Sequence, residues 1–178
     1  LVVGSGSSGT QIAEELLGAG RRVYLFVSRR TWLPRRYRGR DLMSWMIESG
    51  LAEQTVETLP SPAARLACNA PVSGNDGGHD CNPRTLARDG AFLLGRLESV
   101  EGSVLRAGDT LAESLSMGDQ AEMGFRSLVD ETIRGRGLEA PAAEPMPERT
   151  PVEALPTRRE LDVTRDQVAA VIWANGFR

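Results

Sequence analysis

The feature that most constrains this chain stands at its start: Gly4-Ser5-Gly6-Ser7-Ser8-Gly9 lies between an apolar run, Leu1-Val2-Val3, and a segment in which Ile12, Ala13, Leu16 and Leu17 recur at helical spacing. That order predicts a strand, a tight turn and a helix folded back on the strand. Gly18 and Gly20 close the helix, and Arg22-Val23-Tyr24-Leu25-Phe26-Val27 reads as a second, buried strand. The glycines fit the G-x-G-x-x-G spacing. The first permits the turn, the second lets a pyrophosphate approach the backbone, and the third lets helix and strand pack closely. The first helix amides then face the phosphate, where the helix dipole favours negative charge. The spacing alone is weak, but its placement between strand and helix is not. The expected fold class is α/β: a Rossmann-like parallel sheet flanked by helices, with dinucleotide phosphates held by Gly4, Ser5, Gly6, Ser7, Ser8, Gly9 and Thr10.

The end of the second strand selects the cofactor. An acidic residue there accepts hydrogen bonds from the adenosine ribose of NAD, about 20 residues past the fingerprint. This chain has Ser28-Arg29-Arg30 instead. A carboxylate repels a 2′-phosphate, whereas guanidinium groups hold it through paired hydrogen bonds. The missing acid therefore favours NADP(H). The arginines carry less weight, because the chain has no lysine and a solvated basic edge explains them equally well.

Charge narrows the function classes. Lys and Arg number 21 against 24 acids, a net charge of −3, which argues against general nucleic-acid binding. The positive charge is local: Arg21, Arg22, Arg29, Arg30, Arg35, Arg36, Arg38 and Arg40 lie within 21–40, a stretch without acids. Cys68 and Cys81 are too few for a disulfide framework, and no apolar run has the length of a membrane segment. A reduced, cytoplasmic setting is expected. Because Leu1 opens inside an apparent strand, the chain is expected to be an excerpt of a longer polypeptide.

Further along, Leu42, Trp45 and Met46 predict a short amphipathic helix after Pro34, and the Pro-, Gly-, Asn- and Ser-rich stretch 58–82 predicts a long loop. Ala91–Leu97 and Ser103–Arg106, separated by Glu101-Gly102, predict a small β-hairpin insertion. Thr110-Leu111-Ala112-Glu113 has capping-box form and opens a helix over 110–134, with Gly118 marking a break. Residues 137–166 form a Pro-rich excursion, and Val168–Ala174 a final strand ending at Asn175-Gly176. The whole reads as one domain, 1–178.

Several stretches resemble a known family. Val2–Ala13, containing the three glycines, is similar to the second, NADPH-binding glycine motif of the flavin-containing monooxygenase and Baeyer–Villiger-like flavoproteins, and within them to bacterial flavoproteins often labelled as potassium-transport-related. The likeness continues through Pro34–Asp41, Gly77–Asp80 and Leu86–Gly90. Trp173-Ala174-Asn175-Gly176-Phe177-Arg178 resembles the Ala-Thr-Gly segment leading back to the FAD domain, with Asn175 in place of threonine and Gly176 retained. The resemblance implies a two-dinucleotide enzyme in which NADPH reduces FAD, the reduced flavin activates oxygen, and a small organic substrate is oxidised. FAD would be bound mainly by another domain of the same polypeptide, since this chain has one fingerprint only. By itself the chain is expected to bind NADP(H) and to hold no catalytic residue.

Other constellations are weaker. Cys68, His79 and Cys81 match no common zinc spacing, and a single histidine does not make a triad. Trp32, Trp45 and Trp173 read as core or domain-contact residues. Two rivals differ in class: another two-dinucleotide flavoprotein oxidoreductase, against which the absence of Cys-x-x-Cys counts, and a non-enzymatic NADP-sensing regulatory module.

Overall fold

Leu1-Val2-Val3 is apolar on both sides because it runs through the middle of the protein, and that burial forces the glycine turn to follow it. In the computed structural model, which describes residues 1–59, 61 and 71–176, β1 (Val2–Val3), α1 (Ser7–Gly18) and β2 (Tyr24–Phe26) form the expected opening unit. There follow β3 (Arg36–Tyr37), β4 (Arg40–Asp41), α2 (Leu42–Glu48), β5 (Val72–Ser73), β6 (His79–Asp80) and α3 (Pro83–Arg88). The chain continues through β7 (Phe92–Leu94), β8 (Leu97–Glu101), β9 (Val104–Ala107), α4 (Leu111–Arg136), β10 (Glu160–Asp162) and β11 (Ile172–Trp173).

The protein is mixed α/β, built on a four-stranded sheet in the order β11-β1-β2-β7. All three pairings are parallel, with Val2 opposite both Leu25 and Ile172, and Leu25 opposite Leu93. Side chains alternate along a strand, so each face has its own core. Val2, Leu25 and Leu93 pack with Ala13 of α1, Leu86 of α3 and Leu115 of α4. Val3, Tyr24, Phe26 and Leu94 pack with Leu105 and Leu161 of a three-stranded antiparallel sheet, β10-β9-β8. A third core joins Leu42 and Trp45 of α2 to Phe125, Val129 and Ile133 of α4.

Four expectations are corrected. Ala91–Leu97 is not a hairpin arm: Phe92–Leu94 is the parallel partner of β2, and the hairpin is β8 with β9. The reason lies at Gly95, where an added Cβ would collide with the Gly108 carbonyl oxygen, so the chain leaves the sheet there and starts the hairpin later. Gly118 does not break α4, which is continuous; its missing side chain admits the Trp32 ring. The Thr110–Glu113 capping box does not form, because Thr110 Oγ1 accepts from the Arg96 amide at 2.9 Å and Glu113 pairs with Arg29. The final strand is shorter than 168–174, since Thr164–Val168 is occupied by turns stitched to Asp162 and Val163.

The loop over 58–82 contains the β5–β6 pair, and its residues 60 and 62–70, Cys68 included, lie outside the described residues. A true capping box opens α3 instead: Asn82 accepts from the Arg84 and Thr85 amides, and Thr85 Oγ1 accepts from the Asn82 amide. The 137–166 stretch is exposed at first, but its second half is knitted into the sheets. Thr157 bridges to Leu93, and Leu161 is fully buried. Trp32 and Trp45 are core, while Trp173 is 58% exposed. Among the described residues no helix is long and apolar enough to cross a membrane.

Candidate functional site

The glycine turn is built by close approach. Gly4 has φ of +111°, and a Cβ there would stand 2.5 Å from the Ala174 carbonyl oxygen. Gly9 lies against the Gly4 carbonyl so tightly that no Cβ fits. Gly6 differs, since among the described residues nothing stands within 4 Å of the place its Cβ would take. Two glycines therefore close the turn, and the third leaves open space in front of α1.

Serine and threonine fix the turn to its neighbours. Ser5 is fully buried, and its hydroxyl accepts from the Ser28 amide at 3.1 Å, tying the turn to the end of β2. Thr10 is also buried; its hydroxyl bonds the Gly6 and Ser7 carbonyls at 3.2 and 3.1 Å. Ser7 and Ser8 occupy the first turn of α1, whose N-cap, Gly6, provides no side-chain cap. The first amides of a helix have no partner within it. Here no side chain of the cap covers them.

The turn opens on a cleft of ≈ 660 Å³. Its lining includes the C-terminal ends of three parallel strands: Val3 of β1, Phe26 and Val27 at β2, Trp173 and Ala174 at β11. Of the residues expected at the site, Gly4, Ser5, Gly6, Ser28, Arg29, Arg30, Asn175 and Gly176 line it together. Ser7, Ser8, Gly9 and Thr10 do not line it: the structure places them in α1 behind the turn. Phe177 and Arg178, which belong to the resembling carboxy-terminal stretch, lie outside the described residues.

Three polar lining residues escaped the sequence reading: Arg96, Thr110 and Ser114. Arg96 follows β7, and the other two face the cleft from the start of α4. Nothing local marks them, because only the pairing of β7 with β2 and the seating of α4 bring them to the glycine turn. Among the described residues no carboxylate lines the cleft. Arg29 is nonetheless engaged, at 2.6 Å, by Glu113 Oε1. Arg30 Nε and Ser114 Oγ are buried and have no hydrogen-bond partner among the described residues.

The cleft thus suits an anionic, hydrogen-bonding ligand: space at Gly6 for backbone approach, and Arg29, Arg30 and Arg96 in its lining. No titrating group in it invites acid–base chemistry. The two titratable groups with marked shifts nearby stand on the other side of α1. His79 Nε2 meets Glu14 Oε1 at 2.5 Å, and that hydrogen bond raises the imidazole pKa against the opposing effect of burial. Burial pushes the Cys81 thiol up to about 12, so it is inert as a nucleophile.

A second cleft of ≈ 900 Å³ lies between α3, α4 and the 147–156 strap. Its charges are already matched: Arg84 grips Asp119 through two bonds of 2.8 and 2.7 Å, and Arg149 adds a contact to Asp119 at 3.6 Å. No family model matches this chain, and neither a curated protein nor a solved structure matches it.

Proposed function

We propose that this chain is the NADP(H)-binding, Rossmann-like unit of an FAD-dependent oxidoreductase of the monooxygenase type. The observation that carries the dinucleotide part is the position of the cleft. It lies at the carboxyl ends of the parallel strands, where β1 has β2 on one side and β11 on the other, and ligands of open α/β sheets bind at such a switch point. The glycine turn borders that crevice, with α1 starting directly behind it. A cleft lined by Arg29, Arg30 and Arg96 and by no described carboxylate favours the 2′-phosphorylated cofactor over NAD.

The roles of the residues follow. Gly6 lets the pyrophosphate approach the backbone, α1 presents its first amides to it, and Ser5 holds the turn in register with β2. Asn175 and Gly176, beyond β11, border the far side of the cleft. NADPH supplies a hydride when bound; the chain's own residues bind and orient it. The FAD partner domain, the activation of oxygen and the small organic substrate rest on the resemblance of Val2–Ala13 and the later stretches, and not on the cleft.

Two measurements test the two parts. Titrating the purified chain with NADPH and NADH, followed by quenching of Trp173 at the cleft wall, is expected to show saturable binding with NADPH the tighter. Saturation by neither cofactor defeats the dinucleotide reading, and equal affinities defeat the NADP preference. For the flavoprotein part, the product of the complete open reading frame is expected to carry flavin absorbance and to consume oxygen with NADPH. A colourless, inactive product refutes it.

A further inference from the structure

Two residues that line the cleft each carry a buried polar atom with no hydrogen-bond partner among the described residues: Ser114 of α4, at Oγ, and Arg30 of the loop after β2, at Nε. Native proteins rarely leave such atoms unpaired, because each loses its hydration without a replacement bond. A ligand oxygen seated in the cleft is one group able to complete such bonds once the side chains turn towards it. Ser114 is 1% exposed, so its hydroxyl is fixed in the wall.

Arg96 completes the group. Its amide donates to Thr110 Oγ1 at 2.9 Å, which holds it against the first turn of α4, and the Ser114 amide donates to the Thr110 carbonyl at 2.9 Å. Arg96 and Ser114 are therefore anchored to the same residue. The Arg96 guanidinium is exposed and in no ion pair among the described residues. Arg29, which the sequence favours equally with Arg30, is bound to Glu113 instead.

From this arrangement we infer that Arg30, Arg96 and Ser114 form the seat of the adenosine 2′-phosphate, and that Glu113 withholds Arg29 from it. The inference rests on the dinucleotide reading and deepens it. A phosphomonoester dianion accepts from two guanidinium groups and one hydroxyl at once, and charge-assisted bonds of this kind are the strong ones. Glu113 sets the affinity, because releasing Arg29 costs an exposed ion pair.

The test uses the purified chain and calorimetric titration with adenosine 2′,5′-bisphosphate and adenosine 5′-monophosphate, which differ only in the 2′-phosphate. Wild type is expected to prefer the bisphosphate. Arg96→Ala is expected to weaken the bisphosphate by about 10- to 100-fold, the range of hydrogen bonds to charged groups, with the loss confined to that ligand. Ser114→Ala weakens it by about 5- to 10-fold, and Glu113→Gln tightens it by up to about fivefold. Arg96 is exposed, so its variant folds regardless of the outcome at Ser114. If neither nucleotide binds wild type, the dinucleotide reading falls and this inference with it. If both bind equally, or if the preference survives Arg96→Ala and Ser114→Ala, the seat lies elsewhere while the dinucleotide reading stands.

Discussion

Replacing Gly118 by alanine sets two effects of opposite sign against each other within one helix. Propensity favours alanine in a helix interior by about 1 kcal/mol. Packing opposes it, because a Cβ at Gly118 would fall within 3.0 Å of three Trp32 ring atoms, Cζ3, Cε3 and Cη2, closer than real Cβ atoms approach. Trp32 is 2% exposed and is packed in the core that joins the sheet to α1 and α4, so moving its ring off α4 disturbs that packing. Overpacking of this severity costs about 3 kcal/mol. The net expectation is a loss of about 2 kcal/mol. Gly124 provides the matched control six residues on, since nothing stands within 4 Å of its Cβ position. Gly124→Ala is expected to gain about 0.5–1 kcal/mol. Urea unfolding followed by far-UV circular dichroism separates the two variants, with unchanged slopes confirming that the native and unfolded states are comparable. If Gly118→Ala is as stable as Gly124→Ala, then Trp32 does not lie against α4 and the reasoning is refuted.

The turn glycines make a second matched pair. Gly9→Ala is expected to destabilise by about 3 kcal/mol, as its Cβ meets the Gly4 carbonyl. Gly6→Ala is expected to leave stability within about 0.5 kcal/mol yet weaken NADPH binding by at least about tenfold, by filling the space for the pyrophosphate; retained affinity there excludes backbone approach at Gly6. The His79–Glu14 pair predicts a pH dependence. Because the folded pKa of His79 lies above its ordinary 6.5, the pair stabilises fully below that value and its contribution fades as pH rises through the raised value. Melting temperatures of wild type should therefore fall, relative to His79→Gln, on going from about pH 6 to pH 8; parallel profiles count against the pairing.

What was legible in the sequence is what is local. Strand, turn, helix and second strand run consecutively over residues 1–27, and each glycine of the turn acts on atoms a few residues away or on the strand beside it. The element misread most fully, Phe92–Leu94, pairs with Tyr24–Phe26 across more than sixty residues of chain. An all-apolar run has no period to distinguish a buried parallel strand from a hairpin arm. Thr110 and Glu113 show the same competition at a helix end. Both residues have capping chemistry, and both bond instead to arginines that the fold delivers from elsewhere. Asn82 and Thr85 make the box that Thr110 and Glu113 do not, each side chain bonding the other residue's backbone amide.

The arginines carry this argument to the site. Eight of them fall within 21–40 without an acid, and in sequence they read as one positive field. The fold distributes acids to them one by one: Glu113 to Arg29, Asp41 to Arg35, Asp130 to Arg38 and Glu48 to Arg40. Arg36 is turned onto the Gly77 carbonyl. At the cleft this leaves Arg30 from the run, joined by Arg96 from a different part of the chain. Local charge density therefore points to the end of β2 proposed here for a 2′-phosphate but names the wrong number of cations. An anion site is set by which charges the fold leaves unpaired, and that follows from tertiary pairing, not from how many arginines stand together.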